Sequence, residues 1–563
     1  MTICPTKNPV TMQSTPVLSP GRFGAPTAIL AIALLAVLIG GFFRFYHLDR
    51  KVWWGDEVYT SLRILGETEA DEVKHAVSIH DAHDLYAILH PVASEGEPDP
   101  LSPVRSLALE EPHHSPIYYE AAHFWVGAAG NSIAATRIFS ALISLLALPC
   151  AFWLGIELYG SRRAGWIAVA LVALSPFQIV YAQEAREYAL WGVALLALSA
   201  ALLRAIRLNR PADWVLVAAL TVFSLYVSAL TFLVLTGFAG YVLVTQWGKR
   251  RLLVACGLAF AFGAIAYIPW LYELYRHLHT VVDSLATTFG GPASKSATFR
   301  AFVGLLRLNL FDVDLIRSSS FGIVATGLAA LAIAVTIAFV VRHEPARVWL
   351  FLALPILTTA LALVVPDLFS GQRVHNPRYF MPVFLYLDFF FVGLFASNVW
   401  RSSRRGVALS YVLLIALLSA RTASAAASSQ ALTWWNKMED NSIYVADAVN
   451  RSERPLIVSD AYLDYALALG NYLRPDVAVA VRPPCYMCSD RSKPILDATV
   501  LPAGHYTDLY ALGPSPRLQQ LLKALIAQRD PNIVYHCINI RHNCDSDLNV
   551  EPVFGPSVRP PAH

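Results

Sequence analysis

Residues 26–59 read PTAILAIALLAVLIGGFFRFYHLDRKVWWGDEVY, and this stretch decides the fold class. Its first part, 26–46, is an almost uninterrupted apolar run of about 20 residues, the length that an α-helix needs to cross a bilayer. No A-x-A cleavage site follows, so we expect a retained helix rather than a removed signal peptide. Two tryptophans, which favour a membrane interface, then precede the adjacent carboxylates of Asp56 and Glu57. The sequence therefore predicts a first membrane helix that ends close to a pair of acids.

The composition of the whole chain is typical of a membrane protein. Of its 563 residues, 56% are hydrophobic and 15% are charged, whereas soluble domains carry about 25% charged residues. The formal net charge of +3 is small and spread over loops, so it gives no reason to expect a nucleic-acid partner. Further long apolar runs predict a polytopic α-helical protein with about 11 transmembrane helices. We place them at 26–46, 133–156, 164–182, 188–206, 213–230, 232–247, 251–271, 320–341, 347–366, 379–399 and 406–422.

Clusters of Arg and Lys occur in alternate connections between these helices, and the positive-inside rule places such loops in the cytoplasm. The clusters lie at 162–163, 204–210, 249–251, 342–347 and 401–405. This orientation predicts a cytoplasmic tail at 1–25, a transmembrane domain at 26–422 and a large first extracytoplasmic loop at 47–132. It also predicts an extracytoplasmic C-terminal domain at 423–563. All the basic loops fall on one side of the membrane only if the short segment Ile117–Gly130 does not cross it. We therefore expect an interfacial helix there.

The C-terminal region differs from the rest in its pattern. Short apolar segments predict strands at 455–459, 477–481 and 533–535, with helices at 461–473 and 518–529, and so a small α/β or α+β domain. An even number of cysteines suits an oxidising compartment and one or two disulfides of undetermined pairing. A four-thiolate zinc site is the alternative. These cysteines are Cys485, Cys488, Cys537 and Cys544.

Asp56 and Glu57 are the first candidates for chemistry. Adjacent carboxylates at a membrane surface are costly to desolvate, and a carboxylate near a partly dry cavity can accept a proton from an attacking hydroxyl. The alternative is a solvated turn anchored by Trp53 and Trp54.

Two further loops carry cations. Glu184, Arg186 and Glu187 lie between two apolar helices, and the Arg186 guanidinium matches phosphate oxygens in a bidentate way. The alternative is snorkelling with a local Glu–Arg pair. Arg378, followed by Tyr379, suits a phosphate head group, although an Arg–Tyr interface belt is an ordinary feature of membrane proteins.

Histidines in the first loop raise the question of a metal. His113 and His114 open the interfacial helix and can bind a metal or hydrogen-bond a sugar or phosphate. His80 and His83 lie in Glu69 to Leu89, which predicts a single amphipathic helix on the membrane surface. Metal ligation needs further partners that the sequence does not identify, so we assign no metal ligand and leave a divalent metal as an alternative.

Together these motifs resemble the large-loop glycosyltransferases of the GT-C superfamily. More narrowly, they resemble the bacterial family-39 group of protein O-mannosyltransferases and aminoarabinose transferases. The resemblance covers roughly residues 26–210, with a weaker match at Pro377-Arg378-Tyr379, and the C-terminal domain carries no family signature. Ser115 departs from the pattern, since many relatives have proline there. The matching motifs are Asp56-Glu57, His114-Ser115-Pro116-Ile117-Tyr118-Tyr119, Arg137-Ile138-Phe139-Ser140, Tyr159-Gly160-Ser161-Arg162-Arg163 and, most specifically, Gln183-Glu184-Ala185-Arg186-Glu187-Tyr188.

The resemblance implies a glycosyltransferase that moves a sugar from a polyprenyl-phosphate donor to a hydroxyl of a lipid, glycan or protein. The reaction would occur on the extracytoplasmic face of a bacterial inner (plasma) membrane. It needs a base for the acceptor and a stabilised leaving phosphate. By this resemblance Asp56 is the base of an inverting reaction, with Glu57 as its support or an acceptor contact, and Arg186 and Arg378 hold the donor phosphate. The remaining cavity residues would be Glu184, His113, His114, Tyr118 and Tyr188.

Two other classes of function stay open at this stage. A transporter or flippase for a lipid-linked or anionic substrate predicts ionisable residues near the middle of spans and inverted repeats. Asp388 is the clearest mid-span charge, and no repeat is evident in the sequence. A non-catalytic assembly or sensor protein, whose C-terminal domain binds a partner, is the third interpretation.

Overall fold

The computed structural model describes residues 27–91, 99–278, 281–282, 294–312, 320–370, 376–434, 442–485, 504–529 and 533–538. The predicted tail 1–25, Cys488 and Cys544 lie outside these residues. The described chain is mainly helical. In chain order its α-helices are α1 (Thr27–Phe45), α2 (Gly55–Leu65), α3 (Glu69–His75), α4 (Ala82–Leu89), α5 (Ser102–Glu110), α6 (Ile117–Ala129), α7 (Ile133–Leu145), α8 (Ala147–Tyr159), α9 (Arg162–Ala173), α10 (Pro176–Ala182), α11 (Tyr188–Leu208), α12 (Pro211–Val227), α13 (Thr231–Thr245), α14 (Arg250–Ala266), α15 (Ile268–Arg276), α16 (Lys295–Leu306), α17 (Ser320–His343), α18 (Ala346–Ser370), α19 (Met381–Ala396), α20 (Arg404–Gln430), α21 (Ser442–Arg451), α22 (Leu463–Gly470) and α23 (Pro516–Arg529).

Within the described residues, 7 helical stretches are long and apolar enough to cross a membrane, or up to 9 if each of two bent helix pairs is one span. The bent pairs are α9 with α10 and α14 with α15, and α12 and α13 are shorter apolar helices. Each predicted span coincides with one of these helices or pairs. The protein is a polytopic α-helical membrane protein, while the count of about 11 stays a prediction. Helix α6 has 13 residues, fewer than the roughly 20 that a span requires.

The bent pair α9–α10 contains a backbone break inside a span, and Arg44 of α1 stabilises one side of it. The two helices meet at an angle of 58°. Carbonyl groups at a helix end lack a partner within the helix, and in apolar surroundings each unsatisfied group is costly. The buried Arg44 donates to the carbonyl oxygens of Ala173, at 2.6 Å, and Val172, at 3.1 Å. Gly40 is required here, because a Cβ would collide with the Ala173 carbonyl oxygen.

A second buried arginine, Arg421 of α20, binds the same end of α9. It donates to the carbonyl oxygen of Leu171 at 2.8 Å and pairs with Asp388 of α19 at 2.5 Å. Cations are favoured at the C-terminus of a helix, where the helix dipole is negative. Asp388, the mid-span charge noted in the sequence, is therefore the counterion of a helix cap.

The C-terminal region contains a parallel sheet with the strand order β2-β1-β3-β4. The prediction left open an α/β or an α+β domain. Because the strands are parallel and helices lie between them in the chain, the described part of this region is α/β. Strand β3 and helix α21 were not predicted from the sequence. Cys485 and Cys537 each take part in a disulfide bond, so neither sulfur is a free thiolate for zinc. The strands are β1 (Pro455–Ser459), β2 (Ala478–Val481), β3 (Asp508–Leu512) and β4 (Val534–Ile538).

The prediction of one amphipathic helix from Glu69 to Leu89 is wrong, because two helices, α3 and α4, replace it. The chain between them runs along the edge of the sheet. The backbone carbonyl oxygen of His80 accepts a hydrogen bond from the Val479 backbone N–H at 2.9 Å. Asp81 forms an antiparallel bridge with Ala478. The Asp81 carboxylate then caps α4 by accepting from the Asp84 backbone N–H. The helix is interrupted because this segment pairs with a strand more than 390 positions away along the chain. The periodicity of apolar residues in a helix does not encode such a contact.

The first loop and the C-terminal region share one hydrophobic core. Val58 and Leu62 of α2 pack in the same buried cluster as Leu85 of α4, Leu467 of α22 and Ala185. Because Ala185 immediately precedes Arg186, this core reaches the loop that carries the candidate phosphate-binding cation.

Candidate active site

Helix α2 begins at the candidate catalytic acids. Asp56 and Glu57 occupy its first turn, where the positive end of the helix dipole favours carboxylates. The Asp56 side chain is 25% exposed, whereas that of Glu57 is fully buried. The two adjacent acids therefore have different environments, and Asp56 is the one open to a ligand.

Glu57 forms a buried bidentate ion pair with Arg137 of α7. The Arg137 guanidinium donates to the two carboxylate oxygens at 2.8 and 2.6 Å and also to the carbonyl oxygens of Leu48, Lys51 and Val52. This geometry fixes the segment before Asp56. Glu57 and Arg137 together therefore tether the segment that precedes Asp56.

The same carboxylate also holds the neighbouring loop. The backbone N–H of Ala185 donates to Glu57 at 2.9 Å. A tight turn follows, in which the Arg186 N–H donates to the Glu184 carbonyl oxygen at 2.8 Å. The Glu184 side chain is buried. Glu57 therefore connects the Asp56 segment to the Arg186 loop.

Arg186 points toward Asp56, and most of its guanidinium is already engaged. Its Nη1 donates to the hydroxyl of Thr60 at 3.1 Å and to the carbonyl oxygen of Asp56 at 3.3 Å. Its Nη2 lies 4.0 Å from the Asp56 carboxylate and 2.9 Å from Nε2 of His114. Its Nε lies 3.5 Å from the Glu187 carboxylate.

Glu187, which the sequence analysis noted in this loop but gave no role, is a buried partner of His114 and Tyr119. Its buried carboxylate lies 2.9 Å from Nδ1 of His114 and accepts from the Tyr119 hydroxyl at 3.1 Å. Because Arg186 can only donate to Nε2, the His114 tautomer that satisfies both contacts carries its proton on Nδ1. Burial raises the pKa of Glu187, but the charge of Arg186 and the contact with His114 more than offset this and hold it well below its usual range. The available signal was its position in the Gln183–Tyr188 motif.

Arg378 completes the site from the 3₁₀ turn Pro377–Phe380, immediately before α19. It forms a hydrogen-bonded ion pair with the Asp56 carboxylate and lies within 6 Å of three aromatic rings, at distances between 5.3 and 5.9 Å. Cations are attracted to aromatic faces at this range. The rings are those of Trp54, Tyr188 and Tyr379.

The two candidate tyrosines differ in their relation to this cluster. Tyr118 is buried, and its hydroxyl contacts Ser140 of α7 at 2.7 Å, so it packs α6 against α7. Its neighbour Tyr119 makes the contact with Glu187 instead. Tyr188 is buried beside Arg378, and in the described part of the chain its hydroxyl has no hydrogen-bond partner.

Among the described residues, Glu111, His113 and His114 offer metal-ligand atoms within 4.8 Å of one another. Burial and the neighbouring His114 lower the pKa of His113 to about 3. Burial raises the pKa of Glu111, but the charge of Arg63 and the neighbouring histidines hold it at about 2. An ionised acid and a neutral histidine are suitable donors. Glu111 is already paired with Arg63 at 2.8 Å, which competes with a metal cation.

A second potential metal-binding group is Asp81, His83 and Asp84. The Asp81 carboxylate accepts a hydrogen bond from the Asp84 backbone N–H at 2.9 Å. The Asp84 carboxylate accepts one from the His80 backbone N–H at 3.0 Å. Both acids therefore serve the turn that starts α4.

Comparison with known proteins gives similarity at the level of structure only. No family model and no curated protein matches the chain. ArnT from Cupriavidus metallidurans bound to undecaprenyl phosphate is 16% identical, with a TM-score of 0.44 over 81% of this chain and 86% of that chain. The same protein in the apo state is 14% identical, with a TM-score of 0.46 over 91% and 90%.

A third similar structure is the Archaeoglobus fulgidus oligosaccharyltransferase in complex with Zn and sulfate. It is 13% identical, with a TM-score of 0.44 over 78% of this chain and 61% of that chain. The identities and TM-scores of all three structures are low.

Proposed function

We propose that the protein is a membrane glycosyltransferase that moves a sugar from a polyprenyl-phosphate donor to an acceptor hydroxyl, with inversion. The observation that carries the proposal is the position of Asp56. Its partly exposed carboxylate lies between the guanidinium groups of Arg186 and Arg378. This arrangement brings a proton acceptor and two phosphate-binding cations to one point.

The proposed reaction assigns a role to each group. Asp56 takes the proton of the acceptor hydroxyl while the acceptor oxygen bonds to the anomeric carbon. The bond from that carbon to the phosphate oxygen breaks, and polyprenyl phosphate leaves with the electron pair. Arg378 and Arg186 stabilise the charge that develops on the phosphate. ArnT bound to undecaprenyl phosphate supports the choice of a polyprenyl phosphate as the lipid carrier.

The buried charges in the helical bundle do not favour the alternative of a transporter or flippase. A transport pathway needs ionisable groups that face a cavity or exchange partners. Arg44 and Arg421 instead hold the end of α9, and Asp388 pairs with Arg421. These three residues have structural partners that account for their burial.

The test is sugar transfer from a panel of radiolabelled polyprenyl-phosphate sugars in membranes, with lysate-derived acceptors. We expect Asp56→Asn to reduce transfer by about 10²–10⁴-fold, the usual contribution of a general base, while expression and membrane insertion are retained. Asp447→Asn is the matched control, because Asp447 is exposed on α21 and pairs only locally with Arg451. Wild-type transfer in Asp56→Asn would remove Asp56 from the mechanism. No transfer by the folded wild type from any donor would favour the transporter.

A further inference from the structure

The Asp56 carboxylate and a donor phosphate would need the same cation. In the described part of the chain, the ion-pair partners of Asp56 are Arg378, in direct contact, and Arg186, at 4.0 Å. An ion pair with a guanidinium stabilises the ionised form of a carboxylate and so weakens it as an acceptor of a proton. The structure therefore shows the candidate base in a paired state.

Of the two arginines, Arg378 has more capacity to bind a new anion. Arg186 is held by Thr60, His114 and the Asp56 carbonyl oxygen, and its charge is balanced by Glu187. Its contacts fix it as part of the framework. Arg378 is held instead by the Asp56 carboxylate, by aromatic faces and by the neutral Asn376, whose side-chain oxygen accepts from Nε and Nη2 at 3.2 and 3.3 Å. Among the described residues Asp56 is the one acid paired with Arg378, so an incoming anion has a single charge to replace.

We propose that Asp56 and the phosphate of the donor exchange on Arg378, so that the base is released only when the donor is bound. This inference rests on the proposed function and adds an order of events to it. A phosphodiester anion on Arg378 replaces the charge of Asp56, and the freed carboxylate stays 4.0 Å from Arg186. Donor binding then precedes deprotonation of the acceptor.

The exchange also acts on the product. After transfer the lipid phosphate is a monoester, which carries up to two negative charges, whereas the donor diester carries one. The product would therefore bind Arg378 more tightly than the donor does, unless an internal anion competes with it. Asp56 holds the acceptor's proton at this point and passes it to water. The ionised carboxylate then returns to Arg378, which supplies that competition and promotes product release.

The experiment measures equilibrium binding of tritiated undecaprenyl phosphate to the full chain in lipid nanodiscs. A double-mutant cycle compares the wild type, Asp56→Asn, Arg378→Met and the double variant, because coupling between two side chains appears only when both are present. Arg378→Gln, which removes the charge but keeps a polar side chain, replaces Arg378→Met if the latter fails to fold. Unlabelled inorganic phosphate is a competitor, to distinguish a lipid-linked ligand from a free anion.

We expect Asp56→Asn to tighten binding about tenfold, equivalent to about 1.4 kcal/mol, and to change it less than about twofold when Arg378 is absent. No tightening of binding would overturn the exchange. Equal tightening with and without Arg378 would also overturn it, because the effect would then come from the loss of a negative charge and not from the release of Arg378. Displacement by inorganic phosphate at similar concentrations would support the exchange but assign it to a free anion. The absence of binding to every variant, wild type included, would instead refute the proposed polyprenyl-phosphate donor.

Discussion

The buried pair between Glu57 and Arg137 leads to the most demanding prediction. In Glu57→Gln the carboxylate becomes an amide of nearly the same shape. One amide oxygen must then accept hydrogen bonds from both Arg137 Nε and the Ala185 backbone N–H. In the wild type Oε1 of Glu57 accepts both, at 2.8 and 2.9 Å. The amide nitrogen would face Arg137 Nη2 at the position where an oxygen now lies 2.6 Å away, so that two donors meet.

The cost follows from the burial of both partners. Removing one member of a buried ion pair leaves the other charge uncompensated, at about 3–5 kcal/mol. Arg137 keeps its three backbone carbonyl acceptors, which places the expected loss near the lower end, at about 3 kcal/mol. Removing both charges is often neutral. We therefore expect Glu57→Leu combined with Arg137→Met to regain stability while transfer stays low, because the segment before Asp56 loses its tethers.

The assay is the apparent Tm in detergent, from size-exclusion chromatography with fluorescence detection, together with transfer per folded molecule. Wild-type Tm and transfer in Glu57→Gln would refute the supporting role of the pair. Full transfer in the double variant would also contradict it, because the tethers would then have no part in positioning Asp56.

Three other predictions concern single side chains. Tyr119→Phe removes a donor to Glu187 and is expected to lower transfer more than Tyr118→Phe, measured as kcat per folded molecule; equal effects would contradict the contact. Arg421→Met leaves Asp388 buried without its counterion, at a cost of about 3–5 kcal/mol, so the yield of monodisperse protein should fall; an unchanged yield would contradict the cap. The pKa of His113 is about 3 in the folded protein, against an ordinary value of 6.5, so only the unfolded chain gains a proton as pH falls, and stability is lost below pH 6.5. His113→Gln should flatten the decline of the apparent Tm between about pH 6.5 and 5. This window lies above the ordinary pKa of Glu111, so the stability that Glu111 contributes is lost only at lower pH. An unchanged slope would refute the prediction.

The parts of the fold that the sequence predicts are those set by local hydropathy. Each predicted span coincides with a helix because about 20 apolar residues have few alternatives in a chain of this composition. Strand β3, with the sequence DLYAL, was missed because it begins with an acid and contains none of the β-branched residues that favour strands. Only its parallel pairing with β1 and β4 identifies it.

The candidate site shows the same division between local and long-range information. Asp56, Arg186 and Arg378 were selected from three separate loop motifs and from the family resemblance, and the structure brings them together. The partners of these residues depend on contacts between distant segments. Arg137 belongs to a quoted motif, yet its pairing with Glu57, 80 positions earlier, becomes apparent only when α2 and α7 pack.

The capping of α9 has a consequence for how the chain is assembled in the membrane. Arg44 comes from the first described helix and Arg421 from α20, yet both donate to adjacent carbonyl groups of one helix end. During synthesis the Leu171 carbonyl group at the end of α9 therefore gains its arginine partner only after another 250 positions have been made. Until α20 inserts, this carbonyl group and Asp388 lack the arginine that binds both of them in the folded protein. Incomplete chains would carry a polar defect within the bilayer, a feature by which membrane quality control can distinguish them from finished protein.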